Sequence, residues 1–324
     1  MHASQAWDDA HLRSRGAFFE DIDEQAASLN GWNQQYLQLS SGRFKGAVHH
    51  LALDGMGLFI EDLHQAVHQT GCVRPDVIAF GVPVLFDGEA HFCGQTGTGA
   101  ELHFFSGSQG FEFRSPRRHI MLGIEVQRSL FETHYAAEPG SSLLSEHCQS
   151  HLHRADARAL QQLRTFALQL FQRGPGQQPP ANLQRTDVLA RDTLLERLLA
   201  VLESPLSSAP TLPKGAHALE RRARRLMLER LDVPPTIAEL CQLLGVSRRT
   251  LQNCFQTIWG MGPLACMNTL RLNAARRRLK TASSVTEAAT EFGFWHFGHF
   301  SQDYQSLFGT LPSHSLCKLP SRAA

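Results

Sequence analysis

No stretch of this 324-residue chain approaches the roughly 18 uninterrupted apolar residues that a membrane helix needs, so no membrane partner is expected. Residues 1–9 lack a basic segment followed by an apolar core, which argues against an export signal. The seven cysteines are few, scattered and free of CxxC spacing; this excludes a disulfide framework or a zinc ribbon and points to a reducing cytoplasm. There is no G-x-S-x-G elbow, no phosphate-binding loop and no dinucleotide fingerprint, so neither an enzyme nor a cofactor is expected. What is present is a globular composition. Apolar residues make up 42% and charged residues 19%, enough for real cores, and the length suggests two or three domains.

The net charge of +1 conceals an asymmetry. Residues 216–324 carry 14 basic and 7 acidic side chains, whereas residues 1–215 carry 17 and 23. An acidic first part and a basic last third imply different partners, and a basic patch is the usual footprint of a polyanion site.

Two Pro-rich stretches, Gly174 to Pro180 and Ser204 to Gly215, punctuate the chain as linkers. Before the first, short strands are expected at Gln35–Ser40, Lys45–Leu53, Gly57–Val67, Val77–Leu85, Ala90–Gly94, Glu101–Phe105, Phe111–Arg114 and His119–Val126, separated by Gly-rich turns. Such regular spacing suggests a small barrel or sandwich. A barrel can enclose one small ligand, with Phe80, Val82 and Val84 on one strand and His103 and Phe105 on another as candidate inward residues, and His103 or Glu101 as the polar group that fixes the ligand. After Gln127 the pattern becomes helical. Leu160, Leu163, Ala167, Leu170 and Phe171, then Leu189, Leu194, Leu195, Leu198, Leu199 and Leu202, fall at helical spacing. These leucine stripes either cover the strands or pair with a second chain; a homodimer held there or through the β-rich part is expected. The fold expected is therefore α+β: residues 1–150 a β-rich, barrel-like (cupin-like) sensor, 151–205 a helical dimerisation segment, 206–215 a linker, and 216–318 an all-α domain.

That last domain carries the strongest signal. Residues 236–247 describe a short helix, closed by Gly245, followed by a new cap at Ser247. Leu240 and Leu244 face inward there, with Ala238 small enough for close packing. The next helix, Arg248 to Ile258, buries Leu251 and Phe255 and exposes Arg248, Arg249, Gln252, Asn253 and Gln256, the pattern of a recognition helix in a major groove. The same grammar returns 49 residues later: Val285 to Phe294 with Gly293, then His296 to Phe308, burying Phe300 and Tyr304 and exposing Gly298, His299, Ser301, Gln302 and Gln305. Between them Pro263 to Lys280 is one helix, with Met267, Leu270, Leu272 and Leu279 inside and Arg271, Arg276, Arg277 and Arg278 outside. At 1.5 Å per residue it is a strut of roughly 27 Å, suited to holding two recognition helices about one DNA turn apart.

These residues resemble the AraC/XylS family of transcription regulators over about Ala216 to Lys318. The matching features are Ile237-Ala-Glu-Leu, Gly245-Val-Ser247-Arg-Arg-Thr-Leu251, Phe255, Gly262-Pro263, Arg271-Leu272, Ala275-Arg276, Ala288, Gly293-Phe294, Phe300, Phe308-Gly309 and Pro312-Ser313. Family members often carry arginine where this chain has Asn253 and Gln302, amides that favour adenine. The run Gly293 to Gly309 and the segment Gly31 to Gly46 are also similar to the ethanolamine-utilisation activators. The resemblance implies an activator that binds promoter DNA, works with RNA polymerase and responds to a small effector, with an amine such as ethanolamine the first compound to consider.

The other reading is a barrel enzyme or metal protein with an appended DNA-binding part. Thirteen of the 17 histidines precede Gly215, but His49-His50 are adjacent and point to opposite strand faces, His151-x-His153 falls near a helix start, and His64 and His68, on one strand face, lack a carboxylate partner. No metal site is expected. Cys241, Cys254 and Cys266 suit buried helix faces, and Cys72 and Cys93 strand ends. Arg221, Arg222, Arg224 and Arg225 either contact phosphate or form a solvated face, and Trp295 is expected to anchor the second motif.

Overall fold

The computed structural model describes residues 16–105, 110–135, 150–172, 183–203, 207–208, 212 and 215–316. The linker Gly174 to Pro180 lies outside these residues, as do Cys148, Cys317 and most of the second Pro-rich stretch. The chain divides into two units: residues 1–36, 45–64 and 69–210, and residues 37–44, 65–68 and 211–324.

The first unit is built on strands. They are β1 (Ala17–Phe19), β2 (Trp32–Gln38), β3 (Gly46–Leu53), β4 (Met56–Leu63), β5 (Val67–Val73), β6 (Val77–Phe86), β7 (Ala90–Phe92), β8 (Gln95–Gly97), β9 (Glu101–Phe105), β10 (Phe111–Arg114), β11 (His119–Gln127), β12 (His151–Arg154) and β13 (Ser207–Ser208). The helices are α1 (Ile22–Ser28), α2 (Arg128–Tyr135), α3 (Ala157–Gln172) and α4 (Leu183–Leu202). Among the described residues the strands form two sheets rather than one closed barrel: an eight-stranded sheet ordered β1-β3-β4-β11-β6-β9-β12-β13, and a five-stranded sheet ordered β2-β5-β10-β7-β8. The sandwich half of the expectation holds. The segment from Gly57 to Val67 is broken after Leu63, so His64 lies beyond β4 while His68 is on β5, and the two do not share a strand. The His151-x-His153 pair is on strand β12, not at a helix start, where it pairs with β9.

Both faces of the larger sheet are covered. One face carries Leu58, Ile60, Ile78, Phe80, Val82, Leu122 and Ile124, which form a core with Leu160, Leu163 and Ala167 of α3 and Leu194, Leu195 and Leu198 of α4. The leucine stripes are thus buried within the chain, and of α4 it is Leu189, 68% exposed, that faces solvent. The other face carries Phe59, Ala79, Phe105 and Met121, which meet Trp32, Val73, Phe92, Phe111 and Phe113 of the smaller sheet. Phe80 and Val82 therefore lie on the opposite face from His103 and Phe105. A strand covered on both sides is apolar at every position, as β6 is, so alternation could not tell its two faces apart.

The second unit is helical: α5 (Ala216–Leu228), α6 (Ile237–Leu244), α7 (Arg248–Trp259), α8 (Pro263–Leu279), α9 (Val285–Glu291), α10 (Phe297–Phe308) and α11 (Pro312–Ser315). Several starts and stops have a local cause. Thr236 and Glu239 form a reciprocal capping box at α6, which holds the Glu239 carboxyl below its usual range. Gly245 ends α6 in the left-handed conformation (φ 68°), and Ser247 then caps α7 by accepting from Thr250 N at 3.0 Å. Pro263 opens α8, and Ser284 caps α9 by accepting from Glu287 N at 3.1 Å. Gly293 turns the chain at φ 70°, where a Cβ would lie 2.0 Å from the Asp232 carbonyl oxygen.

Candidate functional site

Two helix–turn–helix pairs, α6–α7 and α9–α10, present exposed polar faces on apolar bases. In α7 Leu251, Phe255, Cys254, Ile258 and Trp259 are buried, which turns Arg248, Arg249, Gln252, Asn253 and Gln256 to solvent. In α10 Phe300, Tyr304 and Phe308 are buried; Gly298, His299, Gln302 and Gln305 are exposed, and Ser301 is half-buried. The first face offers two guanidinium groups and three amides. The second has no lysine or arginine, and its one acid, Asp303, accepts from Asn268 Nδ2 at 3.1 Å. A Gly298 Cβ would meet nothing within 4 Å, so this helix start is open to close approach.

The residues around these faces differ from expectation in several places. Arg271 does not face solvent: its Nε donates to the Phe292 carbonyl at 2.9 Å, its guanidinium lies 4.1 Å from the Phe294 ring, and burial lowers its pKa. Arg276 is buried with its guanidinium 5.7 Å from the Phe308 ring, while Arg278 bridges Glu287 and Glu291. Trp295 is 70% exposed, because Phe294 against Phe300, at 4.9 Å, already fills the space beneath the motif. Ala238 is exposed as well. Of the four arginines on α5, Arg224 is buried: its Nε donates to Glu220 Oε1 at 2.8 Å, and Trp259 Nε1 donates to the same oxygen at 2.9 Å. The sequence reading missed this network; an acid and a base at i, i+4 on the apolar side of α5 were its signal. Burial pushes the Cys254 thiol up to about 11 and raises Cys266 further, as suits inert core thiols.

In the first unit the candidate ligand residues separate. Phe80 and Val82 belong to the helix-covered core. Glu101 is buried but committed: its Oε2 accepts from Thr98 N at 2.9 Å and Ala100 N at 3.2 Å, fixing the turn before β9. His103 is fully buried among Phe92 (4.8 Å), Phe113 (5.3 Å) and Phe86 (6.0 Å), which brings its pKa down to about 3. His119 is equally buried beside Phe113 (5.7 Å) and Phe86 (5.8 Å) and is also lowered to about 3. Of these candidates Phe105 lines a small space between the two sheets.

That space has room for little more than a water molecule. Trp32, Phe59, Phe105, Phe113 and Met121 line it. Gly81 and Gly123, register partners on β6 and β11, leave out two side chains; the Phe59 ring occupies the place of the second. The polar end is Glu61, buried, accepting from Tyr36 Oη at 2.7 Å, Gln25 Nε2 at 3.1 Å and Gln69 Nε2 at 3.2 Å. Burial raises the Glu61 pKa, against the lowering by these three hydrogen bonds. Glu61 was missed in the sequence, although a carboxylate two positions from Phe59 on one strand face was a legible signal. Among the described residues no group of three or more His, Cys, Asp and Glu side chains is arranged to hold a metal ion. His153 instead lies 3.1 Å from the Val201 carbonyl, and His151 stacks on Phe104 at 5.1 Å.

A helical domain with two helix–turn–helix pairs and outward polar faces has the architecture of the helix-turn-helix class. Residues 240–316 match the family described as "Helix-turn-helix domain". The chain is 32% identical over 136 residues to the probable thc operon regulatory protein of Rhodococcus erythropolis, covering 40% of this chain and 41% of that protein. It is 32% identical over 124 residues to the XylDLEGF operon transcriptional activator 3 of Pseudomonas putida, covering 37% of each. A solved structure of ToxT from Vibrio cholerae O395, bound to (E)-4-(8-methylnaphthalen-1-yl)but-3-enoic acid, aligns over 89% of this chain and 98% of its own at 14% identity and a TM-score of 0.33. The match thus spans about two fifths of the length of the curated relatives. Residues 240–316 are similar to helix-turn-helix domains, and the chain is similar over part of its length to operon regulators.

Proposed function

We propose that the protein is an effector-responsive transcription activator that reads two adjacent major grooves of promoter DNA. The observation that carries this reading is the pair of helices α7 and α10. Each sets exposed groups able to bond base edges on a buried apolar base, and α7 adds Arg248 and Arg249 for guanine or phosphate. Arg249, Gln252 and Asn253 in α7, and Gly298, Ser301 and Gln302 in α10, are the base contacts; Arg248, Gln256, His299 and Gln305 flank them. The name of one relative, an operon transcriptional activator, supports the activator reading; RNA polymerase as a partner and the cytoplasm as the place of action belong to the same proposal.

The first unit is the sensor in this reading. The similarity to ethanolamine-utilisation activators makes an amine such as ethanolamine the first compound to try. We read the protein as a homodimer through the outer face of α3 and α4, which leaves Leu189 exposed. Fluorescence anisotropy on a target promoter fragment tests the DNA assignment. Removing one good base contact costs about 1–3 kcal/mol, so Arg249→Ala with Gln252→Ala is expected to weaken operator binding at least tenfold. Unchanged affinity and base preference would remove α7 from the interface.

A further inference from the structure

We propose that Trp295 and Phe297 are specificity-determining residues of α10 that read thymine: their rings pack on thymine methyl groups in the promoter element beneath that helix. This rests on the reading of α10 as a recognition helix, and it names the base selected and the side chains that select it.

Three observations converge. Phe294 and Phe300 are buried beneath the second motif, whereas Trp295 and Phe297, between them in sequence, are 70% and 40% exposed. The two outward residues flank His296, the cap of α10, and among the described residues neither makes a ring or cation contact. Scattered exposed apolar residues are ordinary. This pair, however, stands where a recognition helix meets base edges, and a side chain at a helix start leans back past the helix end. The second observation is the set of polar groups on α10. From Trp295 to Phe308 there is no lysine or arginine, so the fork that bonds guanine O6 and N7 is missing, while the exposed Gln302 amide suits adenine. An A·T pair shows the major groove an adenine edge that fits the amide and a thymine methyl that fits an apolar ring. The third is Gly298, in the first turn of α10. Its φ lies outside the left-handed region and a Cβ there would meet nothing within 4 Å, so neither backbone nor packing requires glycine. Glycine weakens a helix; a groove edge that comes close enough to reach Phe297 accounts for its presence. The basic excess of residues 216–324, 14 basic against 7 acidic side chains, supplies the charge complementarity that holds a polyanion there. The rings add selectivity without adding charge.

Fluorescence anisotropy of the full-length protein tests this on the duplex that it enriches most from a randomised pool. The element under α10 is the one whose base preference relaxes in Ser301→Ala/Gln302→Ala. Replacing the thymines of that element by deoxyuridine removes the C5 methyl groups and keeps every hydrogen-bonding group. The wild type is expected to lose about fourfold in affinity for each contacted methyl. Trp295→Ala/Phe297→Ala is expected to bind the thymine duplex more weakly, to bind thymine and deoxyuridine duplexes alike, and to keep the wild-type melting temperature because both rings are exposed. Gly298→Ala is expected to bind more weakly while melting no lower than the wild type; wild-type affinity in that variant would remove the close approach. An α10 element without thymine, equal affinity of the wild type for the two duplexes, or a full thymine preference in Trp295→Ala/Phe297→Ala would each overturn the proposal. If that variant does not fold, the wild-type comparison alone decides. The two readings fail separately. An element that relaxes in Ser301→Ala/Gln302→Ala but is indifferent to deoxyuridine leaves α10 a recognition helix and overturns the thymine assignment. No relaxed element overturns the recognition-helix reading, and this proposal with it.

Discussion

Acid should loosen the first unit through two particular histidines. His103 and His119 are fully buried among Phe86, Phe92 and Phe113, and both are held near a pKa of about 3 by loss of hydration. In the unfolded chain each returns to about 6.5. The unfolded state then binds more protons than the folded state between about pH 6.5 and 3, so stability falls as pH falls through that window. Integrated from pH 7 to pH 5, the loss is about 2 kcal/mol for each histidine and about 4 kcal/mol for the pair. Glu61 acts with the opposite sign, since its raised pKa makes folding relatively more favourable as it protonates. Comparison with a His103→Phe, His119→Phe double variant isolates the histidine contribution, because Glu61 is common to both proteins. Urea denaturation at pH 7, 6 and 5, followed by near-ultraviolet circular dichroism, measures it. The variant should lose less stability between pH 7 and 5 than the wild type, by a few kcal/mol. Parallel pH dependence in the two proteins would show that these histidines are not the buried neutral groups described here.

Three further outcomes follow from the packing. Gly293→Ala puts a side chain on left-handed backbone, worth about 1–2 kcal/mol, and drives its Cβ towards the Asp232 carbonyl; thermal melting should register a loss beyond that backbone cost. Glu220→Ala leaves Arg224 buried without its carboxylate and removes the acceptor of Trp259 Nε1, so a loss of about 3–5 kcal/mol is expected on urea denaturation; a loss under 1 kcal/mol would refute that network. Leu189→Glu places a charge on the exposed face of α4, and sedimentation should show a shift towards monomer with the fold intact; an unaltered dimer would move the interface elsewhere.

The helical domain was legible because its information is local. Thr236, Gly245, Ser247 and Pro263 act within a turn of where they stand, and the buried pairs Leu251/Phe255 and Phe300/Tyr304 follow a single period. Most strand positions were legible for the same reason. The space beside Glu61 was not, because it depends on which face of a strand meets which layer. With helices over one face of the larger sheet and a second sheet over the other, Phe80 and Phe105 look alike in sequence although they lie in different cores. The same long-range packing committed Glu101 to a turn and gave Arg271 and Arg276 aromatic partners that charge counting placed in solvent. The leucine stripes of α3 and α4 were visible, but periodicity does not say whether the surface they meet belongs to the same chain or to another.

The central claim is that α7 and α10 each read their own stretch of DNA. Selection from a randomised duplex pool with the full-length protein tests it most directly, repeated with Arg249→Ala/Gln252→Ala and with Ser301→Ala/Gln302→Ala. The wild type is expected to enrich two short sequence elements about one helical turn apart, the α7 variant to lose preference in one element and the α10 variant in the other. A single enriched element, or two variants that relax the same bases, would contradict it.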